Sequence, residues 1–205
     1  MSILEQSSRG LSDTAVRILD VAERLLQDRG YNGFSFADVA GELGITRAAL
    51  HYHFPSKAEL GRALIERYAS RFTAALAALD ATCPDAPSRL AGYVEIYRRV
   101  LIEDRMCLCG MLAAEYRTLP EPLRERVWAF FDSNTAWLTA TLAEGSRDGT
   151  LRVLGDARGA ATMVLGGLEG ALLMARLDAD LERFSAAADC LLDGLRSVGD
   201  VAGRR

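Results

Sequence analysis

Proline is scarce in this sequence, with five in 205 residues. A chain so poor in helix breakers, and so rich in Ala and Leu, can be helical almost throughout. No window sustains the two-residue alternation of a half-buried strand, and no internal repeat is visible. Histidine is scarcer still, since His51 and His53 are the only two. Both sit in one short stretch, which leaves no Ser-His-Asp set and no HExxH zinc motif. Nucleophile elbows and Walker loops are missing as well, so an enzyme is the disfavoured class. Cys83, Cys107, Cys109 and Cys190 are too dispersed for a disulfide framework. With both histidines elsewhere, they make no convincing metal site. No apolar run approaches the ~18 residues of a membrane helix. The N-terminus lacks the charged-then-apolar pattern of a secretion signal. The expectation is a cytoplasmic protein with reduced thiols and no cofactor.

Basic charge is not in excess either. There are 24 Lys and Arg against 28 Asp and Glu, a net charge of −4. Such a chain is not drawn to nucleic acid as a whole, so any DNA site must be a local basic surface.

What is present is helical periodicity with capping signals. Residues 1–10 read as a flexible arm, and a helix is expected from Ser12 to Arg29. Val16, Leu19, Ala22, Leu25 and Leu26 form its apolar face, Ser12 caps its start, and Gly30 suits a left-handed position after its last turn. Ser35 and Asp38 resemble a capping box opening a second helix through Leu43. Gly44 breaks that helix, Thr46 caps a third over about Arg47 to His53, and Pro55 ends it. Two short helices joined by a tight Gly-containing turn are the pattern of a helix-turn-helix. Leu50 buries the third helix against the second, without which helices this short would not hold.

The segment Gly44 to Lys57 carries Arg47 and Lys57 and no acid. Thr46 and Arg47 lie at the end of the helix that enters the major groove in this motif. Arg can read guanine, and Thr can meet a phosphate or a thymine methyl. His51, Tyr52 and His53 follow with donors for phosphate oxygens, although His53 also reads as a capping residue. Ser56 and Glu59 form a further capping box, on a helix running to about Leu79.

The string GITRAALHYHFPSK resembles the TetR family of repressors, and RILDVAERLLQDRGYNGFSFADVAGELG resembles that family's first two helices. The likeness spans about residues 14–68. It implies an all-α fold with an N-terminal three-helix DNA-binding domain and a C-terminal helical domain that binds a ligand and dimerises. By that likeness Ser35 contacts phosphate and Thr46, Arg47 and Ala48 face bases. Tyr52, His53 and Lys57 meet phosphate, while His51 stands where the family usually has Tyr and Phe36 where a small polar residue is commoner. The implied partners are double-stranded operator DNA, a second copy of the chain and a small-molecule effector of unknown identity. The implied divisions are 1–55 for DNA, 56–80 for the connecting helix and 81–205 for ligand binding and dimerisation. A helical interaction module without a DNA role is the competing class.

Five more helices are expected beyond a Pro-marked linker at 81–87: Pro87–Glu103, Met106–Tyr116, one from Pro122 to Arg147, Asp156–Leu177 and Asp180–Val198. Gly166, Gly167 and Gly170 lie within about a turn and cost roughly 1 kcal/mol each relative to Ala. They mark either a dimer seam, together with Leu173, Phe184 and Leu191, or close packing inside one subunit. Tyr93, Tyr97, Met111, Trp128, Phe131, Trp137 and Met163 are candidate pocket walls, although most such residues are ordinary core. Glu115 either binds a polar ligand group or satisfies the core. Cys107 and Cys109 resemble the position of a helix-opening Cys in one branch of TetR regulators, some of which sense electrophiles. The bland alternative is two small buried hydrophobes.

Overall fold

A computed structural model describes residues 12–177 and 180–196. The arm read at 1–10 and the expected end of the last helix at Val198 lie outside the described residues. Within them the chain forms nine α-helices and one 3₁₀ turn.

The N-terminal elements follow local chemistry closely. Helix α1 spans Asp13–Arg29, and the Ser12 hydroxyl accepts from the Ala15 amide. Gly30 takes φ +77° and ψ 173°. The positive φ is as expected, but the extended ψ departs from a left-handed turn. It leads into Tyr31, whose amide reaches the Glu115 carboxylate. Helix α2 spans Phe36–Leu43 and α3 spans Arg47–His53. Between them Gly44 sits at φ +65° and ψ 30°, a conformation that a Cβ would strain. Helix α4 runs over Lys57–Thr82, a turn beyond the expected end, with the Thr82 hydroxyl bonded to the Ala78 carbonyl.

Asp85 caps α5, Ala86–Ile102. Helix α6 is shorter than read: Leu108–Ala114, with Cys107 as its N-cap, followed by a 3₁₀ turn at Tyr116–Thr118. Glu115 is the C-cap of α6, and its side chain is engaged by the turn after α1. Helix α7, Glu121–Asp148, carries Pro122 in its first turn, where no amide is needed. Asp156 caps α8, Ala157–Arg176, and Asp180 caps α9, Leu181–Asp193.

By contacts the chain divides into two compact units, one of Met1–Ala74 with Arg105–Phe130, the other of Ala75–Asp104 with Phe131–Arg205. The core of the first is built from Ile18, Leu19, Ala22, Leu26, Val39, Leu50, Leu60 and Leu64. It also encloses an ion network. Glu23 accepts from Arg67 at 2.6 Å and from Arg71, and Arg67 reaches Asp20 at 2.7 Å. In the second unit α8 packs on α9, and both pack on α5.

Candidate DNA-reading site

The site is a short helix held by one face and left bare on the other. Leu50 is fully buried and is the anchor of α3. Val39 and Ala40 of α2 are buried with it in the same unit. The Thr46 hydroxyl accepts from the Ala49 amide at 3.1 Å and fixes where α3 begins. At α2 the Ser35 amide donates to Asp38 at 2.7 Å, and the Asp38 amide donates back to the Ser35 hydroxyl oxygen. Hydrogen bonds from the Ser35 hydroxyl and amide hold the Asp38 carboxyl below the usual carboxylate range. The box therefore favours a charged carboxylate at the positive end of the helix dipole.

Around this scaffold Ser35, Thr46, Arg47, Ala48, His51 and Tyr52 are all exposed. Tyr52 is 85% exposed, a large aromatic left in water on the free protein. Its ring meets His53 edge-on at 5.2 Å, and His53 is only half-buried. Arg47 and His51 lie four residues apart and share one helical face, as do Ala48 and Tyr52. The structure thus brings the DNA candidates together.

Lys57 differs from the freely exposed phosphate ligand expected. It is half-buried, and its ammonium donates to the Phe34 carbonyl. It lies 4.5 Å over the Tyr31 ring and 4.6 Å over that of Phe34. Burial pushes its pKa below the ordinary lysine value, against the attraction of Glu115 and Asp38. This lysine ties the start of α4 to the turn before α2. Glu115 grips the same turn, accepting from the amides of Tyr31 and Asn32. The Asn32 side chain donates to the Thr118 hydroxyl at 2.7 Å. Glu115 is thus a clamp on the reader's backbone, a role that no local pattern announced.

The residues read as pocket walls or ligand contacts are divided between the two units. Tyr93, Tyr97 and Trp137 do meet in the second unit, with Trp137 stacked on Tyr93 at 5.6 Å and 17°. Tyr93 donates to Asn134 and Tyr97 to Glu169, while Trp137 donates to Asp80. Cys107, Met111 and Glu115 belong to the first unit. There the Cys107 thiol is buried and accepts from the Gly110 amide at 3.4 Å. Trp128 and Met163 are mostly exposed in the single chain.

The glycine reading splits. A Cβ on Gly167 would fall 2.7 Å from a methyl of Leu191 in the same subunit, so this position serves packing of α8 on α9. Gly166 and Gly170 face open space. Phe184 has no exposed surface and therefore nothing to offer a partner. The outward stripe of α8 is instead Met163, Gly166, Gly170 and Leu173, continued by the cap residue Leu177, at spacings of three and four. Met163, Leu173 and Leu177 are 63, 55 and 74% exposed.

Among the described residues no helix is long and apolar enough to cross a membrane, and no cluster of His, Cys, Asp or Glu could hold a metal. A capped helical pair whose second helix has one buried anchor and a bare, acid-free outer face defines a helix-turn-helix DNA-binding protein.

Residues 18–64 match the family described as bacterial regulatory proteins, tetR family. Residues 86–191 match the tetracyclin repressor-like C-terminal domain. A TetR-family transcriptional regulator from Agrobacterium tumefaciens superposes with a TM-score of 0.86 at 34% identity, over 89% of this chain and 97% of its own. A TetR regulator from Legionella pneumophila gives 0.81 at 30% identity, over 91% and 100%. The regulator CymR of Pseudomonas putida is 27% identical over 92% of this chain and 91% of its own. The chain belongs to the TetR family of bacterial transcription regulators.

Proposed function

We propose that the chain is a cytoplasmic, dimeric repressor that leaves its operator when a small molecule binds the second unit. In functional terms residues 12–55 read DNA, 56–80 connect, and most of 81–205 bind effector and partner. No catalytic role is assigned. The observation that carries the reading is the outer face of α3, where Arg47, His51 and Tyr52 stand in water around a buried Leu50. Arg47 is assigned to a base edge, while Ser35, Tyr52 and His53 are assigned to phosphates. Lys57 positions the turn and keeps further N–H donors for a phosphate. Two such helices one turn apart, ~34–36 Å, fit a near-palindromic site. Arg47→Ala is expected to weaken binding to the selected operator by ~1–3 kcal/mol and to flatten base preference at one position per half-site. Binding to random duplex should change far less. Titrations on operator and random DNA at fixed salt check this. Equal losses on both would move Arg47 to the phosphate backbone.

The apolar stripe of α8 supports the dimer. Helices with such stripes pack as coiled-coil-like bundles, and the small Gly166 and Gly170 allow close approach. Leu173→Asp leaves the subunit core untouched because the side chain is exposed. In a dimer it buries a charge, so light scattering at micromolar concentration is expected to shift from dimer to monomer. A wild-type monomer under those conditions rules the assembly out.

For the effector, the clustered Tyr93, Tyr97 and Trp137 are retained as the aromatic wall, which suits a largely apolar ligand. An electrophile is the second reading. The Cys107 sulfur accepts from the Gly110 amide and the Tyr68 hydroxyl. Its burial means that α6 must open at its start before any reagent arrives. Maleimide labelling of the native protein, with Cys107→Ser as the control, separates the two readings.

A further inference from the structure

Arg47 can only donate, so it can recognise only the acceptors on a base edge. The next exposed residue on its face is His51, whose ring is held at two points. Its Nδ1 lies 3.2 Å from the Pro55 carbonyl oxygen, and its plane packs on Phe36 with centroids 4.8 Å apart at 56°. A carbonyl oxygen has no hydrogen to give, so that contact is a hydrogen bond only when Nδ1 carries the proton. A neutral imidazole has one N–H. With it committed to Pro55, Nε2 on the far side of the ring is a lone-pair acceptor.

In the major groove only two base edges offer a donor, the N6 amino group of adenine and the N4 amino group of cytosine. Guanine shows N7 and O6, and thymine shows O4 and a methyl, so neither has a proton for Nε2. Resting on the assignment of α3 as the DNA-reading helix, we propose that His51 is a specificity-determining residue that selects adenine or cytosine through Nε2, with Phe36 and the Pro55 carbonyl fixing the ring's orientation and tautomer. Phe36 and His51 then form a single device. Helix α3 pairs a donor-only reader with an acceptor reader one turn further on.

The test uses the full-length protein and a random-sequence duplex library. Bound duplexes are selected, and the best is then remade with each of the four bases at every position. Wild type is expected to favour A or C over G or T by about fivefold to tenfold at one position per half-site, the worth of one net hydrogen bond. His51→Ala should flatten that position alone. His51→Arg, which replaces an acceptor by donors, should turn its preference towards G. Phe36→Ala should blunt the same position and leave the Arg47 position sharp. Melting curves of the variants show that they fold. If His51→Ala weakens every duplex alike, His51 is a phosphate contact and the proposal fails. If it changes nothing, His51 lies outside the interface and the proposal also fails. If wild type selects no sequence at all, the DNA-reading assignment falls first and takes this inference with it.

Discussion

Leu50→Ala is expected to abolish operator binding while leaving the proposed dimer intact. Truncating a fully buried leucine costs about 2–5 kcal/mol, through lost apolar contact and the cavity left behind. Here the cost falls on a helix of seven residues with that one buried anchor. Such a helix has no stability of its own in water, so α3 should fray rather than merely loosen. Fraying removes Arg47, His51 and Tyr52 from their common face. A gel-shift against the selected operator should show no complex at concentrations that saturate wild type. Light scattering should report an unchanged mass, because the apolar stripe proposed for the dimer lies on α8. Far-UV circular dichroism should lose only the few per cent of signal due to α3. Wild-type affinity in this variant would remove α3 from the site.

Glu23→Ala should produce the largest loss of thermal stability. The Glu23 carboxylate is almost wholly buried and joins two guanidinium groups, those of Arg67 and Arg71. The Arg67 side chain is only 10% exposed and would keep just Asp20, itself largely in solvent. Its Nε is already buried without a hydrogen-bond partner. Removing one member of a buried ion pair typically costs about 3–5 kcal/mol, because the other is left desolvated and uncompensated. For a unit of about a hundred residues, each kcal/mol lowers Tm by about 4–8 °C. A fall of more than 10 °C in a calorimetric or fluorescence melt is therefore expected. Replacing Glu23, Arg67 and Arg71 together by apolar residues of similar volume should recover much of it. A melt within 3 °C of wild type for the single variant would mean that water or a neighbouring carboxylate already compensates the arginines.

The parts of this molecule legible in its sequence are those fixed by neighbours in the chain. Ser35 with Asp38, the left-handed Gly44 and Thr46 act over three residues or fewer, and the bounds of α2 and α3 follow from them. Leu50 was legible because helical spacing assigns a side chain to the inner face before any partner is known. Lys57 and Glu115 were not, because what they bind arrives from far along the chain. Phe34 precedes Lys57 by 23 residues, and Tyr31 precedes Glu115 by 84. Composition marks both as charged and surface-seeking, and only the tertiary structure supplies the carbonyl and the two amides that hold them. Trp128 and Met163, read as pocket walls, are mostly exposed in the single chain for the converse reason, although Met163 lines a surface cavity with Leu154 and Leu191. Apolar character says that a side chain will be covered, but not whether by its own subunit or another. The glycines of α8 divided the same way. Gly167 answers to Leu191 within the chain, and its neighbours at 166 and 170 answer to nothing the single chain contains.

The grip of Glu115 on Tyr31 and Asn32 has a bearing on protein engineering. Regulators of this kind invite cassette exchange, in which one protein's DNA reader is grafted onto another's sensor to rewire a genetic circuit. A graft cut at residue 55 or 74 would leave behind Met106, which accepts from the buried Gln27 side chain at 2.8 Å. It would also leave Glu115 and Thr118, which hold the turn, and, for the cut at 74, Arg126, which pairs with Glu66 at 2.9 Å. The transplanted reader would meet foreign side chains at each of these points, with the amides of Tyr31 and Asn32 seeking a new acceptor. The portable piece is discontinuous: residues 12–74 travel with 105–130, and a hybrid that respects both segments should keep its operator where a simple front-end swap loses it.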